Sequence, residues 1–275
     1  MGDLTVLGAA GIDLLTCVLV MGLTAWVSWR VGRVSVVDVA WGLAFVAVAV
    51  ALAAASGRWL SFLLAVLVAM WGGRLALHIH RRSRGHGEDP RYTELLGDAG
   101  FGTTIRKVFA VQGLAVFVVS LPLVSGAAYD VHWRWSVVAG VLVWLVGLAF
   151  ETIGDAQLAA YKRLPPDQKP AVMETGLWRY TRHPNYFGDA CVWWGIWLAG
   201  ALSVGWLPGL ATIIAPIAMT YFLAFATGAR LLERTMMQRP GYPEYAARTS
   251  MLIPLPPRGT STLPPRGTST RPPRG

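Results

Sequence analysis

The chain has 275 residues, of which 54% are hydrophobic and only 14% are charged, with a formal net charge of +9. Soluble domains carry about 25% charged residues, so this composition excludes an ordinary soluble globular protein. The basic charge does not call for nucleic acid either, because the 24 Lys and Arg residues fall between apolar runs, where membrane topology accounts for them. The 13 Trp point the same way, since indole collects at membrane–water interfaces. Cys17 and Cys191 both lie in apolar segments, and no disulfide framework or metal-ligand spacing is visible. Only Asp3 and no basic residue precedes the first apolar run, so a cleaved signal peptide is not expected.

A helix needs about 20 apolar residues to cross a bilayer. Seven runs qualify, at residues 4–29, 34–56, 59–80, 107–128, 133–153, 184–204 and 207–227. The predicted fold is all-α: a polytopic membrane helix bundle in contact with membrane lipid. The loops orient it. With the N-terminus outside, the inside loops hold Arg30 and Arg33, then the Arg81–Lys107 stretch, then Lys162 to Arg182, then the C-terminal Arg230 to Arg248. The outside loops hold only Arg58 and Arg134. That asymmetry follows the positive-inside rule and predicts a cytoplasmic C-terminus. An even count would need one run to be re-entrant, and 184–204 is the weakest, because it opens with Pro184, Asn185 and Asp189. Residues 1–254 form one predicted domain. The rest, 255–275, reads LPPRGTST twice and then RPPRG, a basic Pro/Gly/Thr repeat predicted to be disordered.

Charges inside spans are costly and mark a cavity or a partner. Asp38 lies in SVVDVAWGLAF and Arg74 in MWGGRLALHIHRR, on successive helices. They are either ion-paired with each other, or Asp38 faces a substrate, where a protonated carboxyl can donate a hydrogen bond to a carbonyl. A second cluster, RRSRGHGEDPRYTELL, packs Arg82, Glu88, Asp89, Arg91 and Tyr92 around Pro90, behind two helix-breaking glycines. The third is ETGLWRYTRHPNYFGD. It offers Arg179, Tyr180, Arg182, His183, Asn185 and Tyr186, and Asp189 lies one helical turn after Asn185 on the same face. Pro184 suits a first helical turn, whose free N–H groups favour phosphate or carboxylate. Glu151 and Asp155, also four apart, lie at the inner end of the fifth run, and Arg230 and Glu233 at the inner end of the last. All of these groups converge on the cytoplasmic side.

GLWRYTRHPNYFGD, with ARLLERTMMQRPGYPEYAARTSMLIP downstream, resembles the C-terminal half of the steroid 5-alpha-reductase superfamily. With SVVDVAWGLAF and GEDPRY added, residues 34–254 resemble a bacterial branch of unknown function within it, of the domain of unknown function 1295 type. Isoprenylcysteine carboxyl methyltransferases share the RHPNY-like and the distal Arg–Glu elements. The reductase resemblance implies a seven-helix bundle in a bacterial inner membrane, with NADPH in its cytoplasmic half and a lipophilic substrate entering from lipid. It places the family's catalytic acid at Asp38 and its third-helix Arg at Arg74. Its Asn–Arg pair falls near Arg82, and its cofactor-binding Asp at Asp155. Its Asn and acidic residue fall at Asn185 and Asp189, and its distal basic residue at Arg230. Trp71 stands where the steroid enzymes carry tyrosine, and Pro170 and Ala171 occupy the region of the family's Tyr–Arg pair. Indole can donate a hydrogen bond but cannot act as a proton-transfer acid.

The resemblance thus implies an NADPH-dependent reductase of an activated C=C bond, with Asp38 and Trp71 at the developing enolate oxygen. Arg74, Arg82, Arg179, Arg182 and Arg230 are then the phosphate candidates, and Asn185 faces the nicotinamide amide. The alternative is an S-adenosylmethionine-dependent methyltransferase, using His183, Tyr186, Arg230 and Glu233. A third reading is a non-catalytic membrane protein that keeps the fold. The sequence does not fix an oligomeric state.

Overall fold

The computed structural model describes residues 4–226 and 228–258. The predicted tail therefore lies, from residue 259 onward, outside the described residues. Among them no strand forms, and seven helical spans are long and apolar enough to cross a membrane, as the sequence predicts. The first three are α1 (Val6–Val31), α2 (Val36–Ser56) and α3 (Trp59–Ser83). Gly32 ends α1 in the left-handed conformation, φ 70°, and its N–H closes on the Ser28 carbonyl. Gly57 ends α2 in the same way, at φ 64°. A short helix α4 (Pro90–Leu96) follows.

The fourth span differs from its predicted form. It starts earlier, as α5 (Phe101–Thr104), widens into a π-helical turn over Ile105–Ala110 and continues as α6 (Val111–Val119). Residues 121–128 form a separate helix, α7 (Leu121–Ala128), because Pro122 cannot donate the hydrogen bond that continuation requires. The fifth span, α8 (Arg134–Arg163), runs ten residues past its predicted end, which places Asp155 within the helix rather than after it. The sixth is α9 (Pro184–Gly200), completed by a 3-10 turn over Leu202–Val204. The last is segmented into α10 (Trp206–Thr212), α11 (Ile214–Tyr221), a π turn Phe222–Ala226 and α12 (Ala229–Met236). A final helix, α13 (Tyr242–Arg248), lies beyond it.

Two crossings position the site. Antiparallel α8 and α9 approach through glycines spaced at sevens: Gly140, Gly147 and Gly154 on one, Gly188 and Gly195 on the other. A Cβ at Gly147 would lie 2.5 Å from the Gly188 carbonyl oxygen, and one at Gly140 2.6 Å from that of Gly195. Only glycine permits backbones this close, the small-residue packing of membrane helices. Gly42 and Gly72 do the same for α2 and α3. The run judged weakest in sequence, α9, is the most enclosed span, 67% buried over its apolar window against 22% for α1. Its polar residues are tolerated because protein, not lipid, surrounds them. Exposed Trp26 and Trp29 mark one end of the bundle, and Trp59, Trp135 and Trp206 the other, as interfacial belts do.

Candidate active site

At the end of the bundle where α1, α3 and α8 finish and α2 and α9 begin, three polar constellations assemble. The deepest straddles the α8–α9 seam. The Arg74 guanidinium of α3 pairs with Glu151 and with Asp155, successive turns of α8. Asn185 Nδ2 donates to Asp155 Oδ1 at 3.1 Å, and His78 Nδ1 lies 3.8 Å from Asp155. Asp189, one turn further along α9, interacts electrostatically with Arg74, Asp155 and Glu151. Arg74 therefore pairs with α8, and the alternative of an Asp38–Arg74 pair is set aside. One guanidinium faces three carboxylates, all on helices that the glycine seam presses together. Trp71, fully buried one turn before Arg74, directs its indole toward the Asp189 carboxylate. Among the described residues six buried side-chain atoms lack a hydrogen-bond partner by strict geometry: Glu151 Oε2, Asp189 Oδ1 and Trp71 Nε1 here, and Arg33 Nε, Trp144 Nε1 and Trp193 Nε1. Buried polar atoms are normally paired, so carboxylate oxygens left short of partners make this seam a candidate ligand site. An aromatic floor closes the site below, with Phe45 against Trp71 and Trp193 at 5.7 and 4.5 Å.

The second constellation gives each residue of EDPRY a place. The Glu88 carboxylate accepts the backbone N–H groups of Val34 and Ser35, capping the start of α2, where Ser35 supplies no side-chain cap. Burial pushes the Glu88 carboxyl up, but hydrogen bonds from Val34, Ser35 and Asp89 outweigh it and hold it below its ordinary value. Asp89 caps α4 through the Arg91 N–H at 2.9 Å, and Pro90 opens that helix. Arg91 bonds the Asp89 side chain, which holds that carboxyl below the usual range. Its Nη2 also reaches Asp38 Oδ2 at 2.9 Å. Tyr92 donates its O–H to Asp38 Oδ1 at 2.6 Å. Burial and the neighbouring Asp38 charge raise the Tyr92 phenol above its ordinary value, keeping it protonated.

The third constellation is closed on itself. Arg182 forks onto Glu233 at 2.7 and 3.0 Å, and donates to the carbonyls of Ala246 and Thr249 at 2.7 and 2.6 Å. His183 Nε2 contacts the same Glu233 at 2.9 Å and stacks its ring on Tyr186. Tyr245 bonds the Trp178 carbonyl, and the Trp178 indole bonds that of Gly154 at 3.1 Å. RPGYPEYAARTS is thus the strap that fixes the entrance of α9, and Arg182, His183 and Glu233 serve it.

Arg82, Arg179, Tyr180 and Arg230 are exposed. Arg82 lies within electrostatic reach of both Asp38 and Tyr186. Two residues escaped the sequence reading. Lys162, exposed on the extended end of α8, comes within electrostatic reach of Arg82, Asp155 and Arg239. Its signal was the length of α8, which the apolar run understated. Asp13, fully buried on α1, accepts from Ser120 Oγ at 3.0 Å and from Cys17 Sγ at 3.4 Å. It pins α1 to the break between α6 and α7, and a lone charge in the first apolar run was its sign.

Residues 25–249 match a protein family described as being of unknown function, DUF1295. The chain belongs to the DUF1295 family. The match covers every residue of the three constellations. No protein of curated function and no solved structure matches the chain.

Proposed function

We propose that this DUF1295 protein is an NADPH-dependent reductase of an activated C=C bond in a lipophilic, steroid- or isoprenoid-like substrate. The observation that carries the reading is the polar set at the α8–α9 seam: two carboxylate oxygens short of a partner, with the Trp71 indole N–H directed toward one of them. A primary carboxamide offers two N–H donors and one carbonyl acceptor, the complement of that set. Asn185, Asp189, Glu151 and Trp71 would hold the nicotinamide carboxamide, with Arg74 and Asp155 fixing the carboxylates around it. Arg82, Lys162, Arg179 and Arg230, on the rim, would hold the phosphates. When bound, NADPH supplies the hydride.

The chain's own contribution to proton chemistry is the Asp38–Tyr92–Arg91 group. Tyr92 keeps a proton that Asp38 orients, and Arg91 offsets the Asp38 charge. Tyr92 has one O–H and donates it to Asp38, so a substrate carbonyl would meet that donor, where negative charge develops, by taking the place of the Asp38 oxygen. In this reading Tyr92 takes the part first given to Trp71, which lies against Asp189. The Arg-rich end faces the cytoplasm of a bacterial cell, following the loop charges.

A second reading, S-adenosylmethionine-dependent methyl transfer, has one observation in its favour: three carboxylates against one guanidinium suit a sulfonium cation. Against it, Glu233 and His183 are already engaged by Arg182 and Tyr186.

Ligand binding to the folded state raises thermal stability by mass action. Detergent-purified protein should melt higher with NADPH than with NADH, and titration calorimetry should rank them alike, since a 2′-phosphate suits Arg. Asn185→Ala should weaken NADPH binding. Asp38→Asn should keep it and lower turnover of an enone substrate. Tighter binding of S-adenosylmethionine would move the assignment to methyl transfer, and no shift by either molecule would leave a non-catalytic member of the family.

A further inference from the structure

Beside their contacts, α1 and the fourth span leave a groove open between them. A cavity of about 610 Å³ runs between them, lined on α1 from Leu14 to Trp29 and on the fourth span from Phe101 to Phe117. Its walls are apolar side chains at helical spacing, and the π turn Ile105–Ala110 lies along it. Gly22 and Gly113 line it from the two sides. A Cβ at Gly22 would meet nothing within 4 Å, so the glycine leaves open space there. At 1.5 Å per residue, Leu14 to Trp29 spans about 22 Å, somewhat more than one leaflet of a hydrocarbon core of about 30 Å. The groove therefore has the length of one lipid chain.

Its mouth is charged. Trp26 and Trp29 both line the groove, and the Arg30 guanidinium sits over both rings, 5.4 and 5.6 Å from their centroids. Arg106 and Lys107, exposed in the π turn, lie at the same end. No acidic residue lines the groove. We propose that this groove binds one anionic phospholipid of the surrounding bilayer, with an acyl chain between α1 and the fourth span and its phosphate at Arg30. Basic positions at the mouth of an interhelical groove select anionic headgroups, and the Trp pair holds Arg30 at interface depth. The site is separate from the carboxylate network and stands whatever reaction that network performs.

Native mass spectrometry of the full chain, titrated with phosphatidylglycerol or phosphatidylcholine, tests the assignment. The wild type should hold one phosphatidylglycerol about tenfold more tightly than phosphatidylcholine, a difference of about 1.4 kcal/mol. Gly22→Leu should abolish the tight site for both lipids while melting as the wild type does. Val18→Trp, at an exposed position lining the groove, is the second blocking variant should Gly22→Leu fold poorly. Arg30→Ala should keep binding at the phosphatidylcholine level and lose the preference. Equal affinities for the two lipids in the wild type, or undiminished phosphatidylglycerol binding in a folded blocking variant, would overturn the proposal.

Discussion

The two long seams of this bundle solve opposite problems. Along α8–α9, glycines at seven-residue spacing bring backbones into contact, and the polar side chains between them are shielded from lipid. Along α1 and the fourth span, the same residue type plays both parts: a Cβ at Gly113 would meet the Met21 side chain at 3.3 Å, whereas Gly22 faces open space and leaves room for a groove. Glycine therefore has no single meaning in a membrane helix. Where backbones meet, it sets the distance, and where they do not, it sets the width of a groove. The closed seam can hold a carboxylate cluster in register. The open one can admit a flexible chain.

The largest effect should come from forcing the closed seam apart. Gly188→Val places a branched side chain where a single Cβ would already lie 2.5 Å from the Glu151 backbone nitrogen and the Gly147 oxygen. Overpacking costs about 1–3 kcal/mol even where side chains can shift, and here the obstacle is backbone. The expected outcome is loss of folded, monodisperse protein in size-exclusion chromatography. A variant that folds and melts normally would show that the seam is not held by glycine contact.

Next in size is the charge at that seam. Arg74→Met leaves Glu151 and Asp155 without their cation, and removing one partner of a buried ion pair costs about 3–5 kcal/mol. Thermal melting in detergent should fall markedly. Adding Glu151→Gln and Asp155→Asn should recover part of the loss, because of the three carboxylates only Asp189 then lacks its cation. If the triple variant melts no higher than the single one, Arg74 acts through packing and not through charge.

The smallest effect concerns the corner where α1 meets α2, fastened by Glu88 to the N–H groups of Val34 and Ser35. Glu88 and Asp89 titrate below their ordinary values of 4.5 and 3.8 in the folded chain. Their contribution is therefore complete above those values and is lost as pH falls through the lower folded ones. Hydrogen exchange over residues 86–96 should show protection at pH 7 that declines below about pH 4, while α8 and α9 stay protected. Simultaneous loss in both regions would deny the corner its independence.

Much of this molecule could be read from its residues in order. Seven spans follow from apolar length, because a helix must satisfy its own backbone in lipid. The DUF1295 resemblance was legible, and Asp38, EDPRY and RHPNY stood out as polar groups where lipid tolerates few. The breaks at Ser120 and Ile213 were legible in principle, since Pro122 and Pro216 each remove a backbone donor shortly afterwards. The ten-residue extension of α8 was not, because a helix that leaves the apolar layer continues on polar residues that a hydropathy reading cannot assign.

Partnership belonged to the tertiary structure alone. The sequence offered Asp38 and Arg74 as neighbours on successive helices, yet each found another partner: Tyr92 and Arg91 for the first, Glu151 and Asp155 for the second. Side chains on adjacent helices meet only if helix rotation and depth agree, and here the Gly42–Gly72 and Gly147–Gly188 contacts fix both. Composition and periodicity determined that the chain lies in a membrane and which residues are too polar to be there by chance. The crossing of the helices decided which of them share one site, because contact is a property of packed surfaces and no single helix carries it.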